Sequence, residues 1–274
     1  MANIFTEFAE AWSQYDFIRT AFYAGTVCAV LASCIGYFVL VRKMAFAGHA
    51  LGHIGFAGAC AGVVLGWGAL PGMLVLTILA AIVMGILGER AQKNDLAIGM
   101  MLSFALGLGT FFLAMFKGYA GQATVILFGN VLAVSPTQVN ELLALTTASL
   151  LVLLFIFRPL LFSSLEPELA EAKGVSLRFI SVVFYILVAV AVAAASQIVG
   201  VLLVFTLLIG PAAIALFFCR TAWLGIAVSL FVGVAVTWAS LVLAYFTGGP
   251  VSFWAPALLF ALYLLGAGLS HFRG

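Results

Sequence analysis

Nine apolar runs, each long enough to cross a bilayer as a helix, are separated by charged or Gly/Pro-bearing breaks: 17–41, 45–66, 71–88, 96–116, 141–157, 178–196, 199–218, 223–246 and 252–270. A hydrocarbon core about 30 Å thick needs roughly 20 apolar residues in a helix, with about 17 as the lower limit. Inside lipid there is no water to satisfy backbone groups, so each run must close its own hydrogen bonds. The chain is 66% hydrophobic and only 7% charged, against roughly 25% charged residues in soluble domains. An all-α integral membrane protein follows. It is one domain over 1–274 with about nine transmembrane helices, or eight if a marginal run fails to cross. No stretch is polar enough for a second, soluble domain. The basic residues are scattered at run ends, which excludes a nucleic-acid recognition patch.

Two segments stand outside this pattern. Residues 123–135 are too few to cross and contain Gly129, Asn130 and Ser135-Pro136. They predict a re-entrant half-element, because broken backbone is tolerated at depth only against protein or water. At the N-terminus Phe5, Phe8, Trp12 and Tyr15 recur at helical spacing with Glu7, Glu10 and Asp16 between them. This predicts an amphipathic surface segment over 1–16. No basic stretch followed by a short apolar core is present, so no cleavable signal is expected.

Basic residues set the direction. With the N-terminus outside, Arg42, Lys43, Arg90, Lys93, Arg158, Lys173, Arg178, Arg220 and Arg273 face the cytoplasm, and Arg19 and Lys117 face out. That is the positive-inside bias, and it places the C-terminus in the cytoplasm. Glycines at four-residue spacing, Gly58, Gly62 and Gly66, together with Gly107 and Gly109, predict closely packed helices. Cys28, Cys34, Cys60 and Cys219 lie in apolar runs without a C-x-x-C pair and read as small buried residues.

His49 and His53 lie in the second run, close after the basic pair Arg42-Lys43. At about 1.5 Å per residue they sit roughly 9 and 15 Å beyond Lys43. Ionisable groups at that depth are costly and mark a substrate pathway by default. Positions i and i+4 share one helix face, so both imidazoles can reach one ion. Neutral imidazole suits Zn, Cu, Fe and Ni. The spacing resembles half of the protease pattern H-E-x-x-H, but Ala50 follows His49. The general base is missing, which favours transport over hydrolysis. The bland alternative is that each ring bonds a carbonyl on a neighbouring helix. Zinc prefers four ligands, so a symmetric dimer, another helix or water must supply the third and fourth. His271 lies near the C-terminal end and offers no third ligand in the core.

The longest polar connector runs over 158–177. Ser164 or Glu166 can cap a short helix there, Pro167 fits its first turn and Gly174 fits just past its end. Such a helix suits docking of a cytoplasmic partner, although an ordinary solvated connector fits the segment as well. The chain has no G-x-x-x-x-G-K-[ST] loop, so ATP hydrolysis is expected in a separate subunit and this chain is not itself an enzyme.

Together these residues resemble the membrane permease of bacterial ABC importers for zinc and manganese, a type II importer architecture. Met44–His53 is similar to that family's M-A-L-x-G-D-A-L-S-H, and Leu127–Leu132 to its L-F-G-N-I-L. Leu165–Gly174 is similar to its F-D-P-E-x-A-x-A-x-G coupling segment. Val199–Leu203 with Leu207–Ala213 is similar to its V-G-x-L-L…L-L-I-x-P-A-A. The resemblance implies location in the bacterial inner (cytoplasmic) membrane and a homodimer. It also implies cytoplasmic ATP-binding subunits and an extracytoplasmic metal-binding protein. On this reading His49 and His53 line the metal path, and Glu166, Pro167, Glu168, Ala170, Glu171 and Gly174 form the coupling helix. No cofactor is held permanently; the metal is cargo. The family Asp is His49 here and the family Ser is Gly52. Imidazole in place of carboxylate favours Zn(II) over Mn(II), since manganese prefers oxygen. Mn(II) or Fe(II) import, a metal chelate as cargo, or a stand-alone secondary transporter remain as alternatives.

Overall fold

The computed structural model describes residues 12–87, 95–115, 129 and 131–271. Most of the expected surface segment at 1–16 and most of the expected half-element at 123–135 lie outside the described residues. The described chain is helical, without strands. In order the helices are α1 (Asp16–Val41), α2 (Ala45–Val64), α3 (Ala69–Leu87), α4 (Asp95–Met115), α5 (Pro136–Leu165), α6 (Pro167–Ala172), α7 (Leu177–Val199), α8 (Val201–Phe218), α9 (Ala222–Thr247) and α10 (Val251–His271). Among the described residues, nine helices are long and apolar enough to cross a membrane, all of them except α6. Each coincides with one of the nine apolar runs, because only an unbroken helix hides the backbone of such a run from lipid.

Two boundaries differ from expectation. Helix α5 is longer than the 141–157 run at both ends. It begins at a capping box, in which Ser135 Oγ accepts from the Gln138 N–H and Gln138 Oε1 accepts from the Ser135 N–H. At the other end Arg158-Pro159 does not break the helix, and residues 158–165 of the expected 158–177 connector are helical. Packing against the bundle explains this, since Leu160 is fully buried and Ser163 is buried with its hydroxyl bonded to the Leu160 carbonyl. The polar connector therefore starts at Glu166.

Helix α1 is the centre of the bundle. It packs against α5, α7, α8 and α9. Ala24, Cys28, Leu31, Ile35, Phe38 and Val39 are wholly buried along it. The Phe38 ring meets Phe157 of α5 and Phe184 of α7 edge-on, at centroid distances of 5.5 and 6.3 Å. Helices α2, α3 and α4 form a second group joined to the centre through α7, which packs on both α2 and α3. Small residues permit these approaches. A Cβ on Gly36 would strike the Leu208 carbonyl of α8, and one on Gly58 would strike the Gly72 carbonyl of α3. Gly66 lies beyond the end of α2 in a turn with φ +75°, so it is not part of this packing face. Outward positions carry large apolar side chains: Phe155 is 86% exposed and Leu96 75%. That is the surface a lipid solvent calls for.

Candidate functional site

The site begins at the corner between α1 and α2. The Met44 N–H bonds the Val39 carbonyl at 2.8 Å and the Lys43 N–H bonds the Leu40 carbonyl at 2.9 Å. This pair of bonds is the Schellman motif, which ends a helix through one left-handed residue. Here that residue is Lys43, at φ +58°. A side chain in this conformation costs about 1 kcal/mol, so the surrounding bonds hold the corner in a single shape. Helix α2 starts directly beyond it, and the Gly48 N–H bonds back to the Met44 carbonyl at 3.0 Å.

One turn into α2 stand the two histidines. Their ring centroids are 4.7 Å apart with the planes at 82°, as two residues on one helix face allow. Both are half-buried. His53 Nδ1 is enclosed and has no hydrogen-bond partner among the described residues. That nitrogen is therefore not held by a neighbouring helix carbonyl. The Phe205 ring of α8 also approaches His49, to a centroid distance of 4.7 Å, at 63°. Helix α8 comes this close because the intervening residues of α2 are glycines: a Cβ at Gly48 would meet Leu208, and one at Gly52 would meet Val201. Beyond His53 the same stripe continues into Phe56 and Cys60, which pack with Val201. All four cysteines are free thiols, Cys28 and Cys60 buried, Cys34 and Cys219 half-buried.

Among the described residues, no group of three or more His, Cys, Asp or Glu is arranged to hold a metal ion. One chain thus offers two nitrogens on one face. Such a pair can act as part of a ligand shell and cannot close a four-ligand zinc site by itself.

The second set of expected residues is grouped on α6. Pro167 opens the helix and Glu166 precedes it, making no side-chain cap. Ser164 does not cap either; its hydroxyl is turned back to the Leu160 carbonyl. The helix ends in another Schellman pair, Val175 N–H to Ala170 O at 3.0 Å and Gly174 N–H to Glu171 O at 2.9 Å. Gly174 takes the left-handed position, φ +84°. Ala170 is fully buried and anchors α6, while Glu166, Glu168 and Glu171 are exposed beside Leu165 and Leu169.

Two residues of this architecture carry no weight in the sequence reading. Phe205 falls in the gap between two motif stretches, and an isolated aromatic in an apolar run gives no signal. Arg42 serves there only as a membrane-edge marker. In the structure it reaches Ser163, Ser164 and Ser181 on α5 and α7.

The chain is similar to known transport proteins over most of its length. It is 31% identical over 216 residues to the manganese transport system membrane protein MntC of Halalkalibacterium halodurans, covering 78% of this chain and 74% of that one. It is 29% identical over 208 residues to the high-affinity zinc uptake system membrane protein ZnuB of Haemophilus influenzae, covering 76% and 80%. The solved structure of PsaBC from Streptococcus pneumoniae in complex with Fab contains a chain that superposes with a TM-score of 0.86. That chain is 26% identical, and the match covers 96% of this chain and 95% of it. The family described as the ABC 3 transport family matches residues 14–267, and the chain belongs to it.

Proposed function

We propose that this chain is the membrane permease of an ATP-driven importer that carries Zn(II), with His49 and His53 lining the path. The observation that carries the metal choice is the pair of imidazoles 4.7 Å apart on one face of α2. Nitrogen ligands suit zinc, whereas manganese prefers carboxylate, carbonyl and water oxygen. Two copies of the chain, each contributing two rings, bring the ligand number to zinc's usual four.

In this reading the protein works as a homodimer in the bacterial cytoplasmic membrane, with its N-terminus outside and C-terminus in the cytoplasm. An extracytoplasmic metal-binding protein delivers the ion to the outer mouth. ATP-binding subunits dock on the acidic, partly apolar surface of residues 166–174, and the cycle alternates access to the histidines between the two sides. The permease itself performs no hydrolysis.

A second cargo, Mn(II), is favoured by a different observation. Several similar proteins, MntC among them, are named for manganese. The discriminating experiment is uptake of radioactive zinc and of radioactive manganese by cells carrying the wild type, His49→Ala or His53→Ala. Zinc uptake in excess of manganese, lost at least about tenfold in either variant, is the expected result, since each ring is half of one chain's ligand set. Undiminished zinc uptake at normal membrane abundance rejects the ligand roles. Manganese uptake in excess of zinc assigns the other cargo.

A further inference from the structure

We propose that Arg42 is a positioning residue that carries motion of the 166–174 segment to the helix bearing His49 and His53. The inference rests on the coupling role given above to that segment. Arg42 Nη1 donates to Ser163 Oγ at 3.2 Å and Ser164 Oγ at 3.4 Å, and Nη2 donates to Ser181 Oγ at 2.8 Å. The guanidinium carbon also lies 5.7 Å from the centre of the Phe184 ring. The serine hydroxyls are arranged to receive these bonds. Both Ser163 and Ser164 spend their own protons on the Leu160 carbonyl, which leaves their oxygens free to accept.

The placement of the three serines gives the clasp its meaning. Ser163 and Ser164 are in the last turn of α5, immediately before Glu166 and Pro167. Ser181 is in the second turn of α7, shortly after Gly174. One side chain thus grips the chain on both sides of α6. Arg42 and Pro167 also border the same small cavity. On its own side Arg42 belongs to the Schellman corner, where left-handed Lys43 and the Met44 bond to Val39 leave no slack. Helix α2 starts beyond that corner, with His49 one turn further on. Displacing α6 with the ends of α5 and α7 therefore moves the guanidinium. The corner passes that movement to α2. A planar fork with several donors in fixed directions can hold three oxygens on two helices at once; a lysine ammonium is only a point charge on a flexible stem.

The test uses the permease assembled with its ATPase and binding protein in proteoliposomes, and reads ATP hydrolysed per metal ion delivered. Arg42→Ala is expected to keep hydrolysing ATP while the ratio rises about fivefold, within the range known for residues that couple sites without touching a ligand. Ser181→Ala and Arg42→Lys are expected to fall between it and the wild type. Loss of folded complex lowers hydrolysis and delivery together and leaves the ratio unchanged. An unchanged ratio in Arg42→Ala that assembles at wild-type yield, or in equally well assembled Ser181→Ala where Arg42→Ala does not assemble, overturns the proposal. A second measurement does not depend on the cargo. Spin labels at positions 46 and 173, with the native cysteines replaced, are expected to keep a constant separation through the ATP cycle in the wild type and to shift apart in Arg42→Ala. Identical distance distributions in both overturn the clasp. If the wild type moves neither zinc nor manganese, the cargo assignment fails while the distance measurement still decides the clasp.

Discussion

His49 has two ring neighbours: His53 on its own helix and Phe205 on α8, each with its centroid 4.7 Å away. Contact with both rings restricts the rotation of the His49 ring. A ligand held in one orientation loses less freedom when an ion arrives.

Removing Phe205 should therefore affect transport more than folding. Phe205→Ala is expected to raise the concentration of metal needed for half-maximal uptake several-fold. Its stability cost should be below the roughly 3–5 kcal/mol of a fully buried phenylalanine, because Phe205 is only half-buried. Uptake kinetics beside thermal unfolding in detergent check this. Equal kinetics in wild type and variant remove the restraining role.

Acid should inhibit uptake. Ligation requires the neutral imidazole, whose ordinary pKa is about 6.5. Protonated rings repel a cation, and neutral rings are free to bind it. Uptake is therefore expected to fall as the external pH is lowered far enough to protonate the rings. In His49→Asp the pH profile is expected to change, because a carboxylate replaces one of the two imidazoles. The same variant should gain manganese uptake relative to zinc. A pH profile unaltered by the substitution argues against this site.

The contact between α2 and α3 is set by backbone approach. A Cβ at Gly58 would meet the Gly72 carbonyl and the Leu76 side chain. Gly58→Ala is expected to destabilise the bundle by about 1–3 kcal/mol, the usual cost of overpacking. Gly107→Ala, at a position with open space around it, serves as the control and should be neutral. Thermal unfolding of the two purified variants separates them.

The exposed acids of α6 should matter for assembly. Glu168→Lys with Glu171→Lys reverses two charges on a surface that also exposes Leu165 and Leu169. The double variant is expected to fold normally but to co-purify poorly with the ATP-binding subunit. Intact co-purification and normal ATP hydrolysis remove the docking role.

Much of this architecture is legible in the sequence, for identifiable reasons. The spans follow from lipid's intolerance of open backbone, a constraint strong enough to override local signals. The exception is instructive: Arg158-Pro159 reads as a boundary, yet α5 continues through it because Leu160 and Ser163 face the bundle. The facing of His49 and His53 is legible because helical periodicity alone decides it. Phe205 and Arg42 are not. Their partners lie far away in the chain, Arg42 and Ser181 being 139 residues apart, and no periodicity reports a contact of that kind.

Gly200 ends α7 and begins α8, a single residue at φ +82° between two long helices. A Cβ on Gly129 would strike the backbone at this junction. With one residue between the helices, the backbone angles of Gly200 set the direction of α8 relative to α7, and with it the place of Phe205. Any side chain at position 129 would pry at this joint and so at the placement of Phe205.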